Sequence, residues 1–276
     1  MNDAQSREVL MAGLAPEDVE ALRHGDLHDP HRVLGLRPQR AGGREGMVVR
    51  AWHPEAVECE LLYGDRAWPM QKMAPGLFAL FREASAPFAY RLRFRFADGG
   101  DWERDDPYRF WPTLGELDLH LIGEGSHRRL WQALGARVLE HQGAAGTAFS
   151  VWAPSARRVS LVGDFCGWDG RLLPMRSLEG SGVWEIFVPG LGSGALYKFE
   201  LKTREGALRL KSDPLAGAME LPPGSAGRVV RSAYAWGDQT WLEARSKADP
   251  SREPLAAYEV HLGSFARVPE EGDRFL

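Results

Sequence analysis

Cysteine is nearly absent from this 276-residue chain: Cys59 and Cys166 stand far apart with no CxxC spacing. That excludes a disulfide framework and a cysteine-based zinc site, and it points to a reducing compartment, the cytoplasm. Charge of one sign is not in excess either. A net charge of −4 leaves no basic surface for phosphate, so a nucleic-acid partner is not expected. No apolar run approaches the roughly 18 residues that a spanning helix needs, which removes a membrane partner. The N-terminal stretch MNDAQSREVLMAGLAPEDVE lacks the basic start and apolar core of a secretory signal. What is abundant is tryptophan. Ten of them in polar surroundings imply an aromatic-rich core or flat surfaces for a ligand.

The first stretch predicts a short helix, with Pro16 in its first turn, Glu17 and Asp18 at its positive end, Val19 and Leu22 on one stripe, and Gly25 as the stop. From Gly46 to Phe110 the period becomes two. Phe88, Tyr90, Leu92, Phe94 and Phe96 alternate with Ala89, Arg91, Arg93 and Arg95, the pattern of a strand with one buried face. MVVRAW, VECELLY and LFALFR are further strands, with GDRAWP and MAPG between them as turn signals. SHRRLWQALGARVLEHQG predicts a second helix, capped by Ser126, ended by Gly143, with Leu130, Leu134 and Val138 at four-residue spacing. Strands then resume in AFSVWAP, VSLVG, VWEIFVPG, ALYKFELK and ALRLKSDP.

The two strand-rich regions repeat one another. Trp52-His53-Pro54 matches Trp152-Ala153-Pro154 at an offset of 152 − 52 = 100. Tyr90-Arg91 matches Tyr197-Lys198, and Asp106-Pro107 matches Asp213-Pro214, both at 197 − 90 = 213 − 106 = 107. A period of this length means duplicated domains rather than a solenoid. The expected fold is all-β: two tandem immunoglobulin-like β-sandwiches, each with its own core and folding independently, flanked by short helices. The divisions are 1–25 helical, 26–118 first sandwich, 119–143 connecting helix, 144–236 second sandwich, 237–254 a charged linker, and 255–276. In this last segment Ala256 to Leu262 reads as a buried parallel-type strand. The chain then ends in a charged stretch with no partner strand, which reads as an interruption rather than a domain end.

GDFCGWDGRLLPM (Gly163 to Met175), with FSVWAPSARRVSLVG before it and GVWEIFVPG, LYKFEL and LRLKSDPLA after it, resembles the signature of carbohydrate-binding module family 48 in branching enzymes. HDPHRVLGLRP resembles the opening of the extra N-terminal domain of longer bacterial 1,4-α-glucan branching enzymes, and YEVHLGSF resembles the first barrel strand of glycoside hydrolase family 13. The resemblance spans roughly residues 26 to 276. It departs from the pattern at Cys166, where the family usually has Asn, and at Phe265, where it usually has Trp.

The resemblance implies cleavage of an α-1,4-glucan and transfer of the cut chain to a 6-hydroxyl in glycogen biosynthesis, by retention through two carboxylates. Those residues belong to later strands of a (β/α)8 barrel of about 250 residues, so no catalytic residue is nominated here, and this chain alone is expected to be inactive. It also implies an α-1,4-glucan or glycogen partner for a monomeric, cofactor-free, metal-free chain. Two other readings follow from the same motifs: a stand-alone glycogen-targeting protein, or the front of a debranching enzyme or trehalohydrolase.

Trp168 and Lys198 match glucan-binding positions of the family, with turn packing and a solvated strand position as the plainer readings. The usual partner tryptophan is missing, Leu208 being the nearest match. Trp102, with Arg91 in the place of Lys198, is the corresponding candidate in the first sandwich. Trp152 and Trp184 read as core, and Trp68 as turn packing or a platform. His24, His28 and His31 read as turn and cap residues rather than a metal site. Asp105-Asp106 and Glu270-Glu271 read as solvated charges, and Tyr258 and His261 as barrel-stabilising residues.

Overall fold

The computed structural model describes residues 3–41, 44–178, 180–249, 251–261, 265–272 and 274–275. Helices α1 (Asp3–Met11) and α2 (Pro16–Arg23) precede strands β1 (Gly35–Ala41), β2 (Arg44–Trp52), β3 (Glu58–Tyr63), β4 (Arg66–Pro69), β5 (Gln71–Ala74), β6 (Leu77–Arg82), β7 (Arg91–Arg95) and β8 (Asp101–Asp105). The strands form two antiparallel sheets, β1-β2-β6-β5 and β4-β3-β7-β8. Strand β4 falls within a stretch expected as a turn, and β5 runs into another at Met73 and Ala74. On β2 and β6, Val49, Ala51 and Phe78 face Leu61, Leu92 and Phe94 of the second sheet and make the sandwich core. Val48, Trp52, Leu77 and Ala79 project from the other side of the same sheet and are equally apolar. The buried Arg50 on that side donates to the carbonyls of Leu10 at 2.9 Å and Ala12 at 2.6 Å, which ties the N-terminal helices over it.

The second sandwich follows α3 (Glu116–Gly123) and α4 (Leu130–Ala133). Its strands are β9 (Gly135–His141), β10 (Ala144–Trp152), β11 (Arg158–Gly163), β12 (Arg176–Leu178), β13 (Val183–Pro189), β14 (Leu196–Lys202), β15 (Leu208–Lys211) and β16 (Gly227–Arg228). The sheets are β12-β13-β10-β9 and β11-β14-β15, with β16 against β14. The repeat is carried into hydrogen bonds. The Tyr90 hydroxyl donates to Asp106 Oδ2 at 2.5 Å and the Tyr197 hydroxyl to Asp213 Oδ2 at 2.5 Å. The other carboxylate oxygens accept from the backbone of Tyr108 at 3.0 Å and Leu215 at 2.8 Å. Asp106 is thus a buried structural acid rather than a solvated charge, and its burial raises its carboxyl pKa.

The helix expected over 126–143 does not form beyond Ala133. Gly135 takes φ +87°, and a Cβ there would lie 2.9 Å from the Leu215 carbonyl. Its repeat partner Gly35 takes φ +83° and approaches Tyr108 in the same way. Each glycine opens a strand: β9 pairs with β10 as β1 pairs with β2, at an offset of 100 throughout. The repeat carried that signal, and the four-residue leucine spacing masked it.

The expectation of two independent cores is corrected too. One buried cluster runs from Leu10, Leu22 and Val33 through Val48, Trp52 and Leu77 to Phe149, Trp184 and Tyr197, and the chain up to Arg231 is one compact unit. Trp52 is 2% exposed, and its Nε1 donates to the Arg171 carbonyl at 3.2 Å. The Tyr108 hydroxyl reaches the Leu172 and Pro174 carbonyls at 3.4 Å. Arg176 donates to the Phe110 carbonyl at 2.9 Å, and buried Glu185 accepts from the backbone N–H groups of Thr113 and Leu114.

Residues 232–276 form a separate unit. The segment expected as linker contains α5 (Gln239–Lys247), and β17 (Arg267–Val268) pairs with β18 (Arg274–Phe275). The strand expected from Ala256 to Leu262 is absent over 256–261, where the backbone is irregular and Tyr258 is exposed; Leu262 lies outside the described residues. No strand among the described residues pairs with this stretch, and an unpaired strand leaves its backbone groups to water. No barrel forms among the described residues, and no helix among them is long and apolar enough to cross a membrane.

Removing either tyrosine hydroxyl strands a buried carboxyl. Tyr90→Phe and Tyr197→Phe are each expected to cost about 1–3 kcal/mol in urea unfolding; a loss within error of zero at both positions would refute the assigned role.

Candidate functional site

In β14, Tyr197 and Phe199 point into the core, so Lys198, Glu200 and Lys202 point outward. Cross-strand pairing puts Leu210 beside Glu200 and Leu208 beside Lys202 on that outer side, both exposed. Arg158, Ser160 and Val162 of β11 share the face and are buried. Arg158 pairs with Glu200 and donates to the Gly170 carbonyl at 3.0 Å, which folds the turn after β11 across this face.

That turn positions Trp168. Its backbone N–H donates to the Gly163 carbonyl at 3.0 Å, its φ is +60°, and its Nε1 donates to Asp164 Oδ1 at 2.7 Å. Holding a bulky residue in the left-handed region costs about 1–3 kcal/mol and persists only where neighbours enforce it. Trp168 is 37% exposed. One edge of the indole is thus clamped and part of it stays open. Gly163 pairs with Tyr197, so the Trp168 backbone anchors beside Lys198, whose Nζ reaches Ser225 Oγ at 2.8 Å. The family's usual Asn position, Cys166, is buried, with its thiol directed at the Gly163 carbonyl at 3.4 Å.

Trp102 lies elsewhere. It stands on β8 with the Arg104 guanidinium 4.8 Å from its ring centroid and His53 at 5.8 Å. With Phe165, Leu173 and Leu191 it lines a groove of about 290 Å³ between the two sandwiches. Arg91 pairs with Glu103 at 3.2 Å. Trp68 is covered by the Arg82 guanidinium at 4.1 Å. Trp184 is core, as expected, but Trp152 is 56% exposed and is not. The alternation of β10 puts Trp152 on the side opposite Phe149 and Val151. Leu210 and the Arg158–Glu200 pair escaped the sequence reading; the period-two alternation of LYKFELK carried the signal for the outward glutamate.

The histidines serve packing. His24 Nδ1 lies 2.9 Å from the Glu20 carbonyl at the end of α2, His28 meets Trp184 edge-on at 5.2 Å, and His31 meets Tyr108 at 5.0 Å. Burial holds the pKa of His31 well below the usual imidazole range. His53 packs on Phe94 and Phe96 and faces the Trp168 turn; burial and then Arg104 lower its pKa to about 4. Asp169 on that turn is held low by Arg171, whose hydrogen bonds outweigh the opposing effect of partial burial. Arg171 also reaches Glu55 at 2.9 Å, so the turn is moored to the first sandwich.

Residues 15–108 match the family described as alpha-1,4-glucan branching enzyme GlgB, N-terminal domain, and residues 133–216 match carbohydrate-binding module 48, the isoamylase N-terminal domain. Among similar curated proteins, the 1,4-alpha-glucan branching enzyme GlgB of Pseudomonas aeruginosa is 49% identical over 253 residues, covering 90% of this chain and 34% of that protein. The protein of the same name from Leifsonia xyli is 45% identical, covering 96% and 36%. That of Frankia casuarinae is 47% identical, covering 91% and 31%. The chain spans about a third of the length of these relatives.

Two outcomes test the site's electrostatics. Between pH 6.5 and 4 an unfolded chain binds a proton at His53 that the folded chain refuses. Stability therefore falls as pH drops through that window, by up to about 3 kcal/mol, and His53→Gln flattens the fall; an unchanged pH profile in the variant would contradict this. Glu200→Ala, which leaves the Arg158 guanidinium buried and unpaired, is expected to cost about 3 kcal/mol in urea unfolding. A loss under about 0.5 kcal/mol would refute the pairing.

Proposed function

Because the chain belongs to the 1,4-α-glucan branching enzyme family, whose N-terminal domain and carbohydrate-binding module it carries, we propose that it holds an α-1,4-glucan for a transferase that cuts such chains and rejoins them as α-1,6 branches in glycogen synthesis. The observation that supports this is the clamped, part-open indole of Trp168, on a turn whose backbone bonds Gly163 at the end of β11, the strand paired with the one that carries Lys198. An indole face offers a flat apolar platform for a glucose ring, and Lys198 is the polar candidate for its hydroxyls. Trp102 is a secondary contact at the seam. In this reading 26–118 and 144–236 carry the two modules, β9 (Gly135–His141) adds the edge strand of the second, the stretch from 119 to 134 joins them, and the protein is a cytoplasmic monomer with no nucleic-acid or membrane partner.

Cleavage requires a nucleophilic carboxylate and an acid/base carboxyl aimed at one bond. The buried carboxyls among the described residues, Asp18, Asp106, Glu185 and Asp213, are all engaged by structural hydrogen bonds. We place the reaction in the part of the relatives' length that this chain does not span. The modules contribute by keeping glucan concentrated at a fixed place. Their rigidity matters because the Trp168 turn is moored to both sandwiches.

Electrophoresis through gels containing glycogen tests the reading. The wild type is expected to be retarded, and Trp168→Ala to bind about tenfold more weakly, the worth of one aromatic platform. Trp111→Ala serves as an exposed-tryptophan control. Unretarded wild type, or equal retardation of the Trp168 variant, would refute it.

A further inference from the structure

Two side chains of β8 stand where the core of the first sandwich gives out. Trp102 pairs with Phe94 and Arg104 with Leu92, so both lie on the face of the sheet that carries the core. Strand β8 is the edge of its sheet, and there both side chains look onto the second sandwich, whose Phe165, Leu173 and Leu191 complete the groove of about 290 Å³. The same register in the second sandwich sets Arg209 opposite Leu201 and Lys211 opposite Phe199, and both of those cations are exposed. The fold of one module therefore leaves a cation at this position in water. The meeting of the two modules is what draws Arg104 in.

Arg104 has no ionic partner at the seam. Its Nε is buried and bonds nothing, and among the described residues no carboxylate pairs with its guanidinium. The acids around it are taken: Glu103 by Arg91 at 3.2 Å and Arg93 at 2.6 Å, Asp105 by Arg109 at 4.0 Å, and Asp106 by the Tyr90 hydroxyl. Burial lowers the pKa of Arg104, as it does for a cation whose charge the protein leaves uncompensated. The Trp102 indole N–H likewise donates to no acceptor among the described residues, whereas those of Trp52, Trp152, Trp168 and Trp184 each bond an oxygen. Two groups with unpaired donors thus line one groove, the guanidinium 4.8 Å from the centre of the indole.

The rest of the lining decides which ligand suits these donors. Arg91 and Arg104 are matched by Glu103 and Asp105, so the groove has no net charge with which to hold an anion. The two carboxylates keep lone pairs that accept from hydroxyls, the guanidinium and the indole N–H donate to them, and the indole face with Phe165 gives an apolar wall. A sugar ring offers the matching mixture, an apolar face edged by hydroxyls that both donate and accept. We propose that the seam is a glucan subsite in its own right, in which Trp102 stacks on a glucose ring, the Arg104 fork donates to a vicinal pair of its hydroxyls, and Phe165 of the second sandwich closes the far wall. Its volume suits a short stretch of chain rather than a long one. Neither sandwich alone holds the site. The proposal rests on the α-glucan reading of the chain but not on Trp168, which follows Phe165 by three residues and lies outside the groove lining.

NMR of the chain carrying isotope-labelled tryptophan tests this, with the indole N–H resonances assigned from Trp102→Phe and Trp168→Phe. Titration with maltotriose is expected to shift the Trp102 resonance saturably, with the same Kd in the wild type and in Trp168→Ala. Arg104→Gln is expected to raise the Kd read at Trp102 about fivefold or more and to leave the Trp168 response unchanged. Arg104→Lys, which keeps the charge and loses the fork, is the second variant and is expected to weaken binding likewise. A Trp102 resonance that stays still while Trp168 shifts would overturn the proposal and leave the Trp168 platform standing. So would a Trp102 shift lost in Trp168→Ala, a response to inorganic phosphate in place of maltotriose, or an unchanged Kd in the Arg104 variants. Trp102 shifting beside a still Trp168 would keep the seam subsite and remove the platform; stillness of both would end both.

Discussion

A sheet with apolar side chains on both faces cannot be satisfied by one partner sheet, and β1-β2-β6-β5 is such a sheet. Val49, Ala51 and Phe78 are covered within the first sandwich; Val48, Trp52, Leu77 and Ala79 face away from it. Leaving the second set in water forfeits about 1.5–3 kcal/mol for each large side chain. The N-terminal helices cover part of it, drawn down by Arg50, and the second sandwich covers the rest through Arg171, Leu172 and Leu173. The same loop that closes this face runs back from Trp168. The residue proposed to meet glucan is therefore positioned by the packing that joins the modules.

Duplication explains why the joint is asymmetric. Two copies of a fold bring two equivalent outer faces; the first receives the second copy, whereas the second is covered in part by the connector through Phe110 and Leu114. The conserved features of the two halves are the ones each copy needs for itself: the tyrosine–aspartate bond, the left-handed glycine that opens the first hairpin, and the paired hairpins. The features that differ are Arg50, which holds the N-terminal segment, against Ser150, and Trp52, buried under the second sandwich, against exposed Trp152.

Much of this was legible in the residues. Alternation in FAYRLRFRF and the offsets of 100 and 107 were enough to expect two sandwiches, and the GDFCGWDG turn and LYKFELK strand carried the resemblance that made Trp168 and Lys198 candidates. Single-segment periodicity misled where leucines at four-residue spacing overlaid a strand at 135–141; only the repeat partner Gly35 marks that stretch as a hairpin. Burial was the least legible quantity. Nothing in WHP or WAP tells which tryptophan is covered, because coverage comes from a module more than a hundred residues away. Likewise Asp106 looks like a solvated turn acid until Tyr90 is seen above it.

Amide hydrogen exchange on the wild type and Trp52→Ala most directly tests whether the two sandwiches share one core. If they do, β2 and β6 exchange with nearly the same opening free energy as β10 and β13, and the substitution lowers protection in both pairs together. Protection lost in β2 and β6 alone, with β10 and β13 unchanged, would mean that the modules fold separately and that the Trp168 turn is not held by their junction.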